Sequence, residues 1–250
     1  MFFDNNFFLA EDHAIELFDR IKPLGINWWC EARIDILLRF SESTWRKMRD
    51  AGCKMIFFGA ESGSNESLRD MKKNQTREQI VEMAQRAKRF DIIPEFSFLF
   101  GNPRDPLGDA LQTIDLIYQL KQIDPRCEII IYHYTPTPQQ RGSYGDIDAQ
   151  NPYPNKLEDW ATREWINFAS HHNPQVQWLK GDLLAWLKNF ETVMQCRWPT
   201  IQDFRLTTFT RKLLATLAGW RYQSRYYHLP IELKIAKRAI SLRNPRVESS

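Results

Sequence analysis

Metal-ligand spacings are missing from this sequence. Its four cysteines, Cys30, Cys53, Cys127 and Cys196, form no CxxC pair, no zinc ribbon and no short cluster motif. They are expected to be small buried thiols, and no metal site is encoded locally. Long hydrophobic runs are missing too, since nothing approaches the roughly 20 apolar residues that a membrane-spanning helix needs. The opening, MFFDNNFFLAED, has no basic segment followed by an apolar stretch and a small-residue cleavage site. It is not a secretory leader, and the expected location is the cytoplasm. There is no internal repeat and no low-complexity run, and only Asn244–Ser250 reads as disordered.

With 250 residues, 43% apolar and 26% charged, the composition is that of an ordinary globular protein. The length suits one large α/β domain, or a partial one with an appendage. The formal charge of +3 is unevenly spread: residues 205–250 carry ten Lys/Arg against two acids, and the other 204 residues carry 24 against 29. A basic end on a mildly acidic body fits either an anionic neighbour or a solvated helical face.

The chain is organised around Gly52–Leu68, GCKMIFFGAESGSNESL. Its unbroken apolar run, Met55–Phe58, is expected of a strand buried on both faces, as in a parallel sheet beneath helices. Just past the C-terminal end of that run comes Gly59-Ala60-Glu61-Ser62-Gly63-Ser64, where barrels and open α/β sheets place binding loops. Glu61 is then a carboxylate delivered to the mouth of a site. Gly59 and Gly63 shape a turn, and Ser64 caps the next helix.

Strands and helices alternate around this centre. MFFDNNFF reads as the end of a strand with Asp4, Asn5 and Asn6 at its tip. Ala14, Leu17, Phe18 and Ile21 predict a helix over Glu11–Leu24, stopped by Pro23-Leu24-Gly25. Ile26–Arg33 is a strand closing on Glu31 and Arg33, and Ser41 caps a helix over Glu42–Asp50. Thr76–Phe90 is a helix with Ile80, Met83, Ala84 and Ala87 on one face, followed by a strand over Ile92–Phe100 that closes on Gly101. Leu107–Gln122 is a helix with Leu111, Ile114, Ile117 and Leu120 at core spacing, and Cys127–Tyr134 is the fifth strand. The alternation implies an α/β fold with a parallel sheet and right-handed crossovers over residues 1–138. Residues 139–156 form a polar linker loop, and residues 157–250 a mainly helical region rich in tryptophan.

Five stretches, FFDNNFF, WWCEARID, GCKMIFFGAESGSNESLRDMKK, IPEFSFLFGNPRDP and IIIYHYTPTP, in this order and spacing resemble the radical SAM superfamily, and within it the cobalamin-dependent branch. The resemblance covers residues 1–138. It implies a partial TIM-type (βα) radical SAM barrel with about five parallel strands, followed by a mainly α-helical C-terminal region. It further implies S-adenosylmethionine as ligand, a [4Fe–4S] cluster and cobalamin as the family's cofactors, and radical methyl transfer or rearrangement as the chemistry. The family's Cys-x3-Cys-x2-Cys loop does not occur in this sequence. The resemblance therefore places the cluster segment and the B12-binding domain upstream, on a preceding segment or a separate chain, and no catalytic residue is assigned. The chain is expected to be inactive without that segment; the alternative is a non-catalytic remnant or partner-binding half-barrel.

The same resemblance distributes ligand roles. Asp4 and Asn5 meet the methionine ammonium or form an Asn-rich turn. Glu31 and Arg33 end the next strand, where Arg33 either holds the ligand carboxylate in a bidentate pair or pairs structurally with Asp35 or Glu61. Glu61 and Ser62 contact the ribose or the amino acid moiety. Gly101 lets the backbone approach the adenine, and Tyr134 and Thr135 border it, with Tyr134 equally placed to be core. His133 is either a general acid/base or an outward-facing histidine. The substrate is expected to be a small molecule or lipid-like, with Trp160, Trp165 and Trp178 either shielding a radical or serving as core. No nucleic-acid module is recognisable. Arg211, Lys212, Arg221, Arg225, Lys234, Lys237 and Arg238, alternating with Leu, Trp and Tyr, suit peripheral contact with an anionic membrane surface.

Overall fold

Four parallel strands stand side by side in the order of the chain: β1 (Trp28–Ala32), β2 (Cys53–Glu61), β3 (Ile93–Phe100) and β4 (Glu128–His133). The structure, a computed structural model, describes residues 7–136, 144–148, 150, 153–169, 176, 178–179, 181–200 and 206–243. Between and before the strands lie α1 (Glu11–Ile21), α2 (Ile34–Leu37), α3 (Glu42–Asp50), α4 (Asn65–Asp70), α5 (Arg77–Arg89) and α6 (Pro106–Ile123). Sequential strand order with right-handed crossovers puts the connecting helices on one face of the sheet. After β4 come α7 (Gly145–Asp148), α8 (Leu157–Trp160), α9 (Arg163–Ala169), α10 (Gly181–Arg197), α11 (Thr208–Ser224) and α12 (Ile231–Arg243). The chain divides into two compact units, residues 1–178 and 179–250. The first is a partial βα fold and the second is helical.

Local sequence fixes the helix starts. Ser41 accepts from the Thr44 amide and Ser64 from the Ser67 amide, while Thr76 and Gln79 form a reciprocal capping box. Helix α1 stops in a short 3-10 turn, Lys22–Leu24, closed by Gly25 in the left-handed region at φ +61°.

The core of the first unit lies between sheet and helices. Ile56, Phe58, Phe96 and Phe98 on the strands and Trp45, Met48, Ile80, Met83 and Leu120 on the helices are all buried. Each such side chain contributes about 1.5–3 kcal/mol through the apolar surface it takes out of water. Parallel register aligns Glu31, Phe57, Glu95 and Glu128 in one row across the sheet. Trp29, two residues before Glu31 on β1, donates its Nε1 hydrogen to Glu95 Oε2 at 3.1 Å. Leu111, expected in the α6 core stripe, is 48% exposed, and Asp109, Ala110 and Thr113 are buried instead. The buried face of α6 thus takes in Asp109, whose partner Ser62 follows β2 and is described below.

Of the five expected strands, four stand in the described residues. The remaining one, expected over MFFDNNFF at the start of the chain, falls largely on residues 1–6, outside them; the adjoining Phe7 and Phe8 are not in a strand. Phe8 is buried, its ring 5.7 Å from Phe18 and 6.0 Å from Phe40. It is a core residue.

In the second unit α10, α11 and α12 pack around Phe190, Val193, Met194, Leu214, Ala218 and Leu233. Arg221, one of the basic residues expected at the surface, is buried here. It pairs with Glu232 and donates to the carbonyls of His228 (2.7 Å) and Leu229 (3.2 Å). Among the described residues no helix is long and apolar enough to cross a membrane.

Candidate functional site

The four strands end at a common edge, and the strongest local irregularity there is at β2. Its register with β3 slips between Gly59 and Glu61, and Glu61 takes φ +64°. Five non-glycine residues have positive φ among the described residues. Lys72, Asp91 and Arg225 follow helices, an ordinary left-handed stop, and Leu229 lies in a loop. Glu61 ends a strand, where an L-residue with a long side chain pays roughly 1–2 kcal/mol for that backbone region.

That backbone sets the carboxylate against Lys73, whose Nζ donates to Glu61 Oε1 at 2.7 Å. Gln75 donates to the carbonyls of Gly59 (2.8 Å) and Ala60 (3.1 Å), fastening the Lys72–Gln75 turn over the strand end. At the end of β1, Arg33 makes a bidentate pair with Asp35, at 3.0 and 2.9 Å, and Asn74 donates to the same carboxylate at 3.1 Å. Burial pulls the Asp35 carboxyl upward, but the Arg33 and Asn74 hydrogen bonds outweigh it and hold it below the usual range. The Arg33 guanidinium is raised correspondingly by its hydrogen bonds to Asp35. Of the partners open to Arg33 in the sequence, Asp35 is the one engaged, and Glu61 goes to Lys73. Glu31, Arg33, Asp35, Glu61, Lys73 and Gln75 line one hollow of about 350 Å³.

Ser62 is turned inward. It is fully buried, donates to Asp109 Oδ1 at 2.5 Å and accepts from the Ser64 amide at 2.9 Å. The Gly63 amide donates to Thr113 Oγ1 at 2.9 Å, and Asn102 donates to Ser67 Oγ at 2.6 Å. A Cβ on Gly63 would meet the Gln112 carbonyl oxygen at 2.4 Å, so only glycine lets this loop lie on α6. Burial raises the Asp109 carboxyl, against the hydrogen bonds it receives from Ser62 and its neighbours. This network orders the loop behind Glu61.

Gly101 follows β3 at φ +92°, and its carbonyl accepts from Trp178 Nε1 at 3.0 Å. At the end of β4, Tyr134 is buried and donates to Asp148 Oδ1 at 2.5 Å, with the Tyr144 ring edge-on at 5.1 Å. Burial, then the bond to Asp148, raises the Tyr134 hydroxyl well above its usual range. Thr135 is buried, its hydroxyl donating to the His133 carbonyl at 3.4 Å. His133 is buried, not outward-facing. Trp160 and Trp165 pack on each other with ring centroids 5.0 Å apart. Asp4 and Asn5 lie outside the described residues.

The structure thus brings Glu31, Arg33 and Glu61 together in the hollow and sets Gly101, Tyr134 and Thr135 on the neighbouring strand ends. Lys73, Gln75, Asp109 and Asp148 are the hydrogen-bond partners at these strand ends that sequence reasoning missed. Lys73 lies in a lysine pair twelve residues past Glu61, a weak signal; the other three have none.

No protein-family model matches the chain. An uncharacterized methyltransferase of Pyrococcus horikoshii is 31% identical over 121 residues, covering 48% of this chain and 26% of that one. Among solved structures, the radical S-adenosylmethionine methyltransferase TsrM of Kitasatospora setae, bound to tryptophan substrate and a SAM analog, aligns at TM-score 0.50 and 15% identity. That alignment covers 95% of this chain and 52% of the other. The chain shares its fold with that half of TsrM. The cobalamin-dependent S-adenosylmethionine radical enzyme OxsB aligns over 96% of the chain and 38% of its own length, at TM-score 0.47 and 15% identity. This chain spans about a quarter of the curated relative and about half of TsrM.

The resemblance to radical SAM enzymes implies an iron–sulfur cluster, and the thiols present do not fit one. All four are buried, and burial pushes Cys127 up to about 12, Cys196 to about 11 and Cys53, hydrogen-bonded to Cys30, well above its usual range. Cluster ligation needs grouped thiolates. Among the described residues no three His, Cys, Asp or Glu side chains are grouped to hold a metal.

Proposed function

We propose that this chain supplies the S-adenosylmethionine-binding strand ends of a cobalamin-linked radical SAM methyltransferase, with the cluster ligands coming from a further segment or a partner chain. One observation carries the reading: Glu61, held by Lys73 at a strained strand end, shares a hollow with the Arg33–Asp35 pair. S-adenosylmethionine presents an ammonium, a carboxylate and two ribose hydroxyls. Carboxylates at Glu31 and Glu61 suit the ammonium and hydroxyls, and Arg33, about half exposed, can offer donors to the carboxylate. The hollow's mixture of three acids with Arg33, Lys72 and Lys73 matches a zwitterion better than a simple anion. Gly101 and Tyr134, at the ends of β3 and β4, are the residues this reading sets beside the adenine. The chain's own work is to bind and orient; the radical chemistry belongs to the cluster half. The fold shared with TsrM supports this reading.

Titration calorimetry of the chain with S-adenosylmethionine tests it. Saturable binding is expected, weakened about tenfold or more by Glu61→Gln, which removes a charge-assisted acceptor. Absence of binding at millimolar ligand would sink the reading.

A further inference from the structure

We infer that the exposed apolar faces of α11 and α12 form a docking surface for an anionic lipid bilayer. This goes beyond the ligand reading and does not rest on it. Fifteen large apolar side chains are exposed among the described residues, and eight of them lie within residues 209–235. Scattered single exposures are ordinary, whereas a concentration of this kind marks a contact surface.

On α11, Phe209, Leu213, Leu217 and Trp220 recur at intervals of four, four and three, which places them within a stripe about 80° wide. The stripe that packs inside the unit is another one, Leu214, Ala218 and Tyr222. The helix therefore has two apolar faces, one of which is turned to solvent. At its end Trp220 stacks on Tyr226 at 5.9 Å, and Arg221 holds the following loop through the His228 and Leu229 carbonyls. Beyond the loop, Ile231 (57% exposed) and Ile235 (64%) stand one turn apart on α12.

Charge selects the occupant. Lys212 flanks the α11 stripe, and Lys234 and Arg238 flank the isoleucines of α12, all exposed. Residues 206–243 contain one carboxylate, Glu232, and it is committed to Arg221. A second copy packed face to face would set these cations against their own equivalents, with no acid to meet them. An anionic bilayer offers acyl carbon to the Phe, Leu and Ile side chains and phosphate to the Lys and Arg heads. Trp220 and Tyr226 are residue types that settle at that boundary. The long basic side chains can lay their stems along the apolar stripe and keep their charges outside it.

Co-sedimentation of the full chain with phosphatidylcholine vesicles, with and without phosphatidylglycerol, tests the surface. Binding to the anionic vesicles is expected to exceed binding to the neutral ones about tenfold at low salt and to fall as salt rises. The exposed pair Leu213→Ser and Leu217→Ser lowers it about tenfold or more with an unchanged melting temperature. Lys212→Glu with Arg238→Glu does so independently through charge. No binding at low salt, or binding that survives both variants, overturns the inference. So does a lipid-free dimer, seen by analytical ultracentrifugation, that the double serine variant dissolves.

Discussion

At the N-terminal end of the sheet a hollow of about 830 Å³ is ringed by Lys22, Glu42, Arg46, Arg49, Arg89 and Asp91, whereas the hollow at the C-terminal end measures about 350 Å³. The larger one is a surface of mutual pairing. Arg49 and Arg126 share Asp91 at 2.7 and 2.6 Å, Arg46 and Arg89 share Glu42 at 3.2 and 2.7 Å, and Lys22 meets Asp50 at 3.7 Å. All of these partners keep substantial solvent exposure, where such pairs contribute little. At the other end the polar groups are buried or half-buried and tied to one another across long stretches of sequence, and one carboxylate sits on strained backbone. Volume alone favours the N-terminal end. Buried polar order and backbone strain distinguish a built site from a gap between surface charges.

The largest effect that can test this contrast belongs to the N-terminal end. Gly52 has φ +96°, and a Cβ there would lie 2.0 Å from the Ile26 carbonyl oxygen. Gly52→Ala should cost about 3 kcal/mol or more in urea denaturation, because what is rigid at that end is the turn and not the charges. A loss below about 1 kcal/mol would show the edge to be slack.

Next in size is Ser62→Ala. It strips a buried donor from Asp109 and an acceptor from the Ser64 amide, for an expected loss of about 1–3 kcal/mol. Arg46→Ala at the opposite end should change stability by less than about 0.5 kcal/mol. Equal losses would erase the distinction between the two ends.

Smallest, but most diagnostic in sign, is the dependence on pH. Hydrogen bonds from Arg126 and Arg49 hold the Asp91 carboxyl at about 2. Its contribution is present above the unfolded value of about 4 and is lost as pH falls toward 2. The Asp109 carboxyl is raised by burial, so the folded state holds its proton more tightly than the unfolded chain. Its contribution is present below about pH 4 and declines as pH rises through the folded value. Melting temperatures measured against pH should therefore favour wild type increasingly over Asp91→Asn between about pH 2 and 4. They should favour Asp109→Asn increasingly over wild type above about pH 4. Shifts of the same sign would show that the two ends are electrostatically alike.

Much of the sheet was legible because its signals are local. The Met55–Phe58 run, the Ser41, Ser64 and Thr76 caps and the stop at Gly25 each depend on residues within a turn of one another. The fold around the site was less so. That Ser62 would face Asp109, 47 residues away, or that Trp178 would close on Gly101, 77 residues away, is decided by packing, and no periodicity encodes it. Leu111 shows the limit: the spacing on α6 is correct for a helix, but the buried face also takes in Asp109 and Thr113 and leaves Leu111 at its margin. At the site, Glu61 and Arg33 were visible as polar residues at strand ends. Lys73 and Gln75 were not, because their role arises from a turn that folds back over the strand.

The strained backbone at Glu61 has a consequence for anyone who re-engineers this chain. Glycine reaches φ +64° freely, so a redesign scored on stability alone would rewrite position 61 first and count the change as an improvement. It would discard the carboxylate and leave its lysine partner facing open solvent. Whether the carboxylate matters for more than folding is then read directly by comparing Glu61→Gly with wild type in S-adenosylmethionine binding and in urea denaturation.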